Sequence, residues 1–163
     1  MKKIKRSLFR TFLNTTPSAE TPTYDLLGVN VSELSVDYAP QSESSVDIVS
    51  DSADTEITSY QPTAGVSAVA TEGDPVFTFI NGLRRTRAVL DDACTSIVNV
   101  DLYDPVTGSE GSYVAEKQDV SIQIDSYGGE GGGALTIEYT INYRGDPVPG
   151  TFAVATKTFT ANA

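Results

Sequence analysis

The chain has 163 residues, enough for one domain with a substantial core. Its 22 acidic and 11 basic residues leave a net charge of −11, with no histidine and a single cysteine. That composition argues against an ordinary nucleic-acid binder, a disulfide-stapled scaffold and histidine-based catalysis or metal binding.

The charge is unevenly spread. Lys2, Lys3, Lys5, Arg6 and Arg10 open the chain, so residues 11–163 hold six basic against 22 acidic residues, a net of −16. A body this acidic repels phosphate and suits a surface past which nucleic acid slides. The apolar share comes largely from Val, Ile, Tyr and Phe amid many Thr, Ser, Gly and Pro, which is β-rich usage.

Residues 2–13 place Ile4, Leu8, Phe9, Phe12 and Leu13 on one side of a short basic amphipathic helix. Arg10, Thr11 and Asn14 interrupt any signal-peptide core, and no apolar run reaches membrane-spanning length. The segment reads as a flexible arm that docks on a neighbouring subunit rather than a membrane anchor. Thr15–Thr23 is a Thr/Ser/Pro-rich linker. The division is therefore a basic arm and linker over residues 1–23 and a single β-domain over 24–163.

Leu26–Tyr38 reads as one strand or two pieces. Val29 and Val31 share one parity while Leu34, Val36 and Tyr38 share the other, and a bulge or tight turn near Ser32-Glu33 reconciles them. Pro40–Asp54 is polar and acidic, a long loop with Val46, Ile48 and Val49 available to dock it. Short strands follow over Thr55–Tyr60 and Gly65–Thr71, around a turn at Gln61-Pro62-Thr63. Asp74-Pro75 predicts a helix start, an N-cap followed by Pro at the first helical position. Val76, Phe79, Ile80, Leu83, Arg87 and Leu90 continue at helical spacing, with arginines in the second half.

Three long strands come next. Val98, Val100 and Leu102 alternate with polar residues in Thr95–Tyr103, and Val120, Ile122 and Ile124 do so in Tyr113–Asp125. After the glycine loop Ser126–Gly133, Leu135, Ile137, Tyr139, Ile141 and Tyr143 alternate with Thr136, Glu138, Thr140, Asn142 and Arg144. Gly145-Asp-Pro-Val-Pro-Gly150 then reads as a turn that returns the chain into Thr151–Phe159, a terminal hairpin.

No catalytic, cofactor or metal residue is assigned. Gly128–Gly133 lacks the Lys-Ser/Thr and the helix a phosphate loop needs, so it reads as a hairpin loop. Arg144-Gly145-Asp146 spells an adhesion tripeptide but has turn chemistry. Asp47, Asp51, Asp54 and Glu56 lack EF-hand spacing and read as a solvated acidic loop. Asp91-Asp92 reads as exposed turn residues, and Cys94 as a small buried hydrophobe at a strand start.

Several ordered pieces carry a resemblance. They are Leu27-Gly28-Val29 running to Tyr38-Ala39-Pro40-Gln41, Ser59-Tyr60-Gln61-Pro62 before a strand, and Glu72-Gly73-Asp74-Pro75 opening a single helix. Tyr113–Lys117 entering a strand, Val120–Tyr127 with its glycine loop, and Gly145-Asp146-Pro147 leading to Gly150-Thr151-Phe152 complete the order. Across most of residues 24–160 the sequence resembles the major tail proteins, or tail tube proteins, of long-tailed non-contractile bacteriophages, particularly those of Gram-positive hosts.

The resemblance implies a β-sandwich or β-roll with one flanking α-helix. It implies a non-enzymatic virion protein, made in the host cytoplasm, whose hexameric rings stack into a tail tube for DNA ejection. Its partners would be itself, a tape measure protein, a tail terminator and distal tail proteins. DNA would pass without specific binding, and no membrane or cofactor is implied. The inter-ring loop would fall on Gln41, Glu43, Asp47, Asp51 and Asp54. Polar-parity acids Asp37, Glu56, Asp101 and Glu138 are candidates for the tube lining, and each serves equally well as outer surface, since parity gives a face but not which face looks inward. Two other readings stay open: another tail ring component, such as a terminator or baseplate protein, and a monomeric β-sandwich binding module.

Overall fold

Two long antiparallel strands set the architecture of the computed structural model, which describes residues 1–163. They are β8 (Ser112–Gly128) and β9 (Thr136–Ala153). Before them come β1 (Phe9–Asn14), β2 (Tyr24–Leu27), β3 (Val31–Asp37), β4 (Pro40–Ser45), β5 (Asp54–Tyr60), β6 (Thr63–Val69), helix α1 (Pro75–Thr86) and β7 (Cys94–Pro105). Strand β10 (Thr158–Ala161) ends the chain. Eight strands form one antiparallel sheet in the order β2-β1-β7-β8-β9-β6-β3, with β10 added to β9, and β4 and β5 form a separate two-stranded hairpin.

The fold is mostly β with one helix, and the sheet curls into a half-barrel. Leu13, Leu27 and Leu34 come from strands near opposite ends of the sheet, yet share one core with Val120, Ile122, Ile137, Tyr139 and Ile141. Val76 and Ile80 of α1 join that core. The Arg6 guanidinium bridges the two ends, donating to the Leu34 carbonyl at 3.0 Å.

A second core lies on the other face of the same sheet. It gathers Phe12, Tyr24, Val98, Val100, Ala115 and Phe152. The Phe12 and Phe152 rings lie 4.6 Å apart, and Tyr24 meets Phe152 edge-on at 6.1 Å. Alternation places consecutive side chains on opposite faces. Ile97 and Val98, both fully buried, therefore enter different cores, as do Leu13 and Phe12. Val154 and Phe159 of the β9–β10 hairpin pack against the second core. Lys157 in its turn reaches Asp25 of β2 at 2.9 Å.

The helix follows its capping chemistry. Asp74 accepts from the Val76 and Phe77 amides at 3.3 and 3.2 Å, and Pro75 occupies the first turn. The helix stops at Thr86, where Arg87 adopts a left-handed conformation (φ 50°) and caps the Leu83 and Arg84 carbonyls. Leu90 lies outside it, in a 3-10 turn at Leu90–Ala93, and is exposed. Residues 26–38 form two strand pieces: Gly28–Asn30 turns the chain from β2 to β3, and the β3–β6 register shifts between Val31 and Glu33.

Four expectations need correction. Residues 9–14 are a strand between β2 and β7, not part of a helix, because pairing on both sides overrides the helical spacing. Residues 145–150 do not turn. They stay in β9, where the β8 register moves from Lys117–Val148 to Asp119–Arg144, so Gly145-Asp146-Pro147 form a bulge. The real turn is Val154–Lys157. Residues 40–45, expected within a loop, pair with 54–60 as a hairpin. Cys94 is only half-buried at the start of β7, not a core residue.

Gly150 shows why the terminal hairpin closes where it does. A Cβ there would collide with the Thr160 carbonyl and lie 2.5 Å from the Phe159 ring, so the ring seats only over a glycine.

Tyrosine burial ties stability to alkaline pH. Burial, aided by the Asp74 carboxylate, pushes the Tyr139 phenol far above its ordinary value. Burial also raises Tyr143, against a hydrogen bond with Asn99 that lowers it. The folded state thus keeps protons that the unfolded chain loses near pH ~10. Stability from these groups is complete below that pH and falls as pH rises toward the folded-state values. Urea unfolding midpoints should therefore drop above pH ~10. Tyr139→Phe should flatten that drop, and an unchanged slope would show that Tyr139 does not carry it.

Candidate assembly surfaces

The sheet leaves one wet, acidic face. On β3, Leu34 and Val36 pack inward, so Glu33, Ser35 and Asp37 point away. On β6, Ala64, Val66 and Ala68 pack inward and Thr63, Gly65 and Ser67 point away. On β9, Ile137, Tyr139 and Ile141 pack inward while Glu138 and Thr140 point away, joined by Asp125 from β8. Glu138 accepts from Ser126 at 2.9 Å, and Asp125 accepts from Thr140 at 2.6 Å and Gln123 at 2.7 Å. Neither β3, nor β6, nor the facing stretches 120–128 and 136–142 carry Lys or Arg.

Of the four candidate lining acids, the structure brings Asp37 and Glu138 onto this face. Asp101 lies on the parity of Ile97, the other face, and is half-buried. Desolvation and the carboxylates of Asp101, Asp104 and Glu116 raise the Tyr103 phenol there. Glu56 is on the β4–β5 hairpin, directly opposite Glu43. Sequence reasoning missed Glu33 and Asp125. Both fall on the polar parity of their strands, Glu33 with Ser35 and Asp37, and Asp125 with Ser121 and Gln123, so alternation alone could have found them.

The second surface is the β4–β5 hairpin. Every residue of both strands is exposed, and neither strand belongs to the main sheet. At its base Tyr38 and Tyr60 meet edge-on at 6.4 Å. Gln41, Glu43 and Asp54 lie on its strands, and Asp47 and Asp51 on its tip. Val46, Ile48 and Val49 do not dock on the chain: Ile48 is 104% and Val49 90% exposed relative to a free residue. A two-stranded hairpin alone is marginal in water, so a free apolar tip marks a contact surface.

The third is a cleft of about 910 Å³ between the end of α1 and strands β8 and β9. Arg84, Arg87 and Arg144 line it. Arg84 stacks over Tyr127 at 4.0 Å and donates to Asn81 at 2.9 Å. Arg144 donates to Cys94 Sγ at 2.6 Å, and that thiol donates to the Leu90 carbonyl at 3.1 Å. The Arg84-Arg85-Thr86-Arg87 run is visible in sequence, but Arg144 arrives only through the β9 register.

The remaining motifs resolve simply. Gly128–Gly133 links antiparallel β8 to β9 as a hairpin loop. Asp91 and Asp92 are exposed in the 3-10 turn. Arg144-Gly145-Asp146 is exposed at the β9 bulge rather than in a turn. No three Cys, Asp or Glu side chains gather to hold a metal ion.

No protein-family model matches the chain, and no curated protein matches it. Solved structures do. The chain is similar to one from the tail of an empty GTA particle, determined by helical refinement with C6 symmetry. The TM-score is 0.58 at 12% identity, over 98% of this chain and 100% of that one. It is also similar to the sheath/tube terminator of PVC, an extracellular contractile injection system, in the extended state. There the TM-score is 0.51 at 12% identity, over 91% and 97% of the two chains. At such identities the likeness establishes the fold, and the structural neighbours are tail components.

Because the tip touches nothing, Ile48→Ser with Val49→Ser should leave folding free energy within about 0.5 kcal/mol. Chemical denaturation checks this. A larger loss would mean that the tip packs on its own chain.

Proposed function

We propose that this chain is a structural, non-enzymatic tail subunit that polymerises as stacked hexameric rings. The rings form a tube for DNA ejection, as in the major tail proteins of non-contractile phages. One observation carries the reading: the whole chain, with no large insertion, takes the fold of a chain from a C6-symmetric tail. The free edges of a half-barrel sheet give ring neighbours a place to pair, and closure in a ring removes the open edge.

The wet face is the candidate lining. Glu33, Asp37, Asp125 and Glu138 set among Ser and Thr repel phosphate, and their field extends over about 8–10 Å at physiological salt. DNA then moves past without binding. Asp101 and Glu56 lie off this face and belong to outer or contact surfaces. The β4–β5 hairpin, with Gln41, Glu43, Asp47, Asp51 and Asp54, serves as the bridge between rings, and the exposed residues preceding β1 as a basic arm. A tape measure protein, a tail terminator and distal tail proteins are the partners of such a tube, in the virion tail after assembly in the host cytoplasm. The likeness to a sheath/tube terminator favours one second reading, a ring that caps a tube rather than builds it.

Electron microscopy of the purified protein separates these. Stacked tubes with a channel support the tube subunit, isolated rings the terminator, and a persistent monomer at high concentration a binding module. In tubes, Asp37→Lys with Glu138→Lys should leave assembly intact and slow DNA ejection. Unchanged ejection would count against the electrostatic lining.

A further inference from the structure

The unpaired charges of this chain are segregated. Its one ion pair is Lys157–Asp25. Residues 40–60 hold Glu43, Asp47, Asp51, Asp54 and Glu56 without a Lys or Arg. Glu43 faces Glu56 across the hairpin, and like charges directly opposite destabilise a strand pair. The hairpin is thus short of cations on its own chain. The cleft beside α1 has the opposite imbalance, since none of Arg84, Arg87 and Arg144 is ion-paired. Asp91 and Asp125 also line it, so three cations stand against two carboxylates and the cleft keeps an excess of one positive charge.

The apolar groups match as well. Leu83, Ile122 and Ile124 contribute to the cleft wall, and Leu90 stands at it 86% exposed in a left-handed conformation (φ 55°). An aliphatic residue held so, outside any core, lacks a partner within the chain. Ile48 and Val49 at the hairpin tip lack one too. No residue of the hairpin lines its own cleft. The volume falls within the about 300–1,000 Å³ of common binding pockets.

We propose that the Arg84–Arg87–Arg144 cleft receives the β4–β5 hairpin tip of a second copy of this chain. Ile48 and Val49 enter against Leu83, Ile124 and Leu90, and Asp47 and Asp51 meet Arg87 and Arg144. The contact is heterologous, one patch against a different patch, so it propagates into rings or stacks. It rests on the self-assembly proposed above and names the surface that the hairpin engages. The N-terminal lysines are the other cationic surface, but residues 1–5 are exposed without an apolar floor.

Charge exchange tests this. Arg87→Glu with Arg144→Glu should cut the assembled fraction in sedimentation about tenfold or more at about 0.15 M ionic strength, with the thermal melt retained. Asp47→Arg with Asp51→Arg should do the same. The four-residue combination should restore assembly, whereas Lys2→Glu with Lys3→Glu and Lys5→Glu should not impair it. Failure of the combination to recover, or loss of assembly only with the lysine variants, overturns the proposal. A second readout leaves those charges in place. The Val49→Cys variant keeps the one native cysteine, Cys94, in the cleft wall. On oxidation its introduced thiol should form a disulfide with Cys94 of another copy, identified by peptide mapping of isotope-mixed protein. Disulfides joining only two introduced thiols, or only two Cys94 thiols, would sink it. Tubes without the mixed disulfide defeat the contact and leave the tail reading standing. The mixed disulfide in an oligomer that never forms rings does the reverse.

Discussion

Everything in this fold hangs on the pairing of β8 with β9. The two strands are 17 and 18 residues long, and each serves both cores. Near one end Ile122 faces Ile141 and Ile124 faces Tyr139, on the side where α1 packs. Near the other, Ala115 faces Gly150 and Tyr113 faces Phe152, on the opposite side. A slip of one residue would exchange the faces and empty both cores together. The bulge at Gly145–Pro147 respects that limit. From Asp119 back to Lys117, β8 moves two residues while β9 moves four, so the two extra residues preserve parity. Gly145 takes φ 66°, and Pro147 sits where a missing amide breaks no ladder bond.

The parts legible in sequence are those where local and tertiary preferences agree. Asp74-Pro75 announces a helix start anywhere. Val120–Ile124 and Ile137–Tyr143 alternate because one face is covered and the other wet. Strand β1 is not legible because both its faces are covered. Thr11, Phe12, Leu13 and Asn14 are all buried, and the polar pair is satisfied by Asn99, Ser96 and the Thr95 hydroxyl. A strand with two dry faces loses its alternation. Residues 145–150 mislead for another reason: glycine, aspartate and proline serve a turn and a bulge alike. Strands β4 and β5 are partly hidden because a hairpin exposed on every side has no buried parity to betray it.

The assembly surfaces divide the same way. Parity identifies Asp37 and Glu138, and register puts them on one face. Asp101 lies on the side of β7 that Ile97 occupies, and Glu56 sits on a hairpin outside the sheet, so neither joins that face. The arginine cleft joins α1 to the far end of the sequence. Its composition is readable, but its convergence is not.

Strand β1 also sets a schedule. It lies between β2 and β7, with Leu13 opposite Ile97, and the Lys157–Asp25 tie joins the last turn of the chain to its second strand. Contacts so distant in sequence make a slow search, because loop closure comes before any reward. During synthesis the first strands must wait unpaired on one side until most of the chain has left the ribosome. Lys2, Lys3, Lys5, Arg6 and Arg10 flank Phe9, Phe12 and Leu13, and charges so placed oppose aggregation of an apolar strand while it is unpaired.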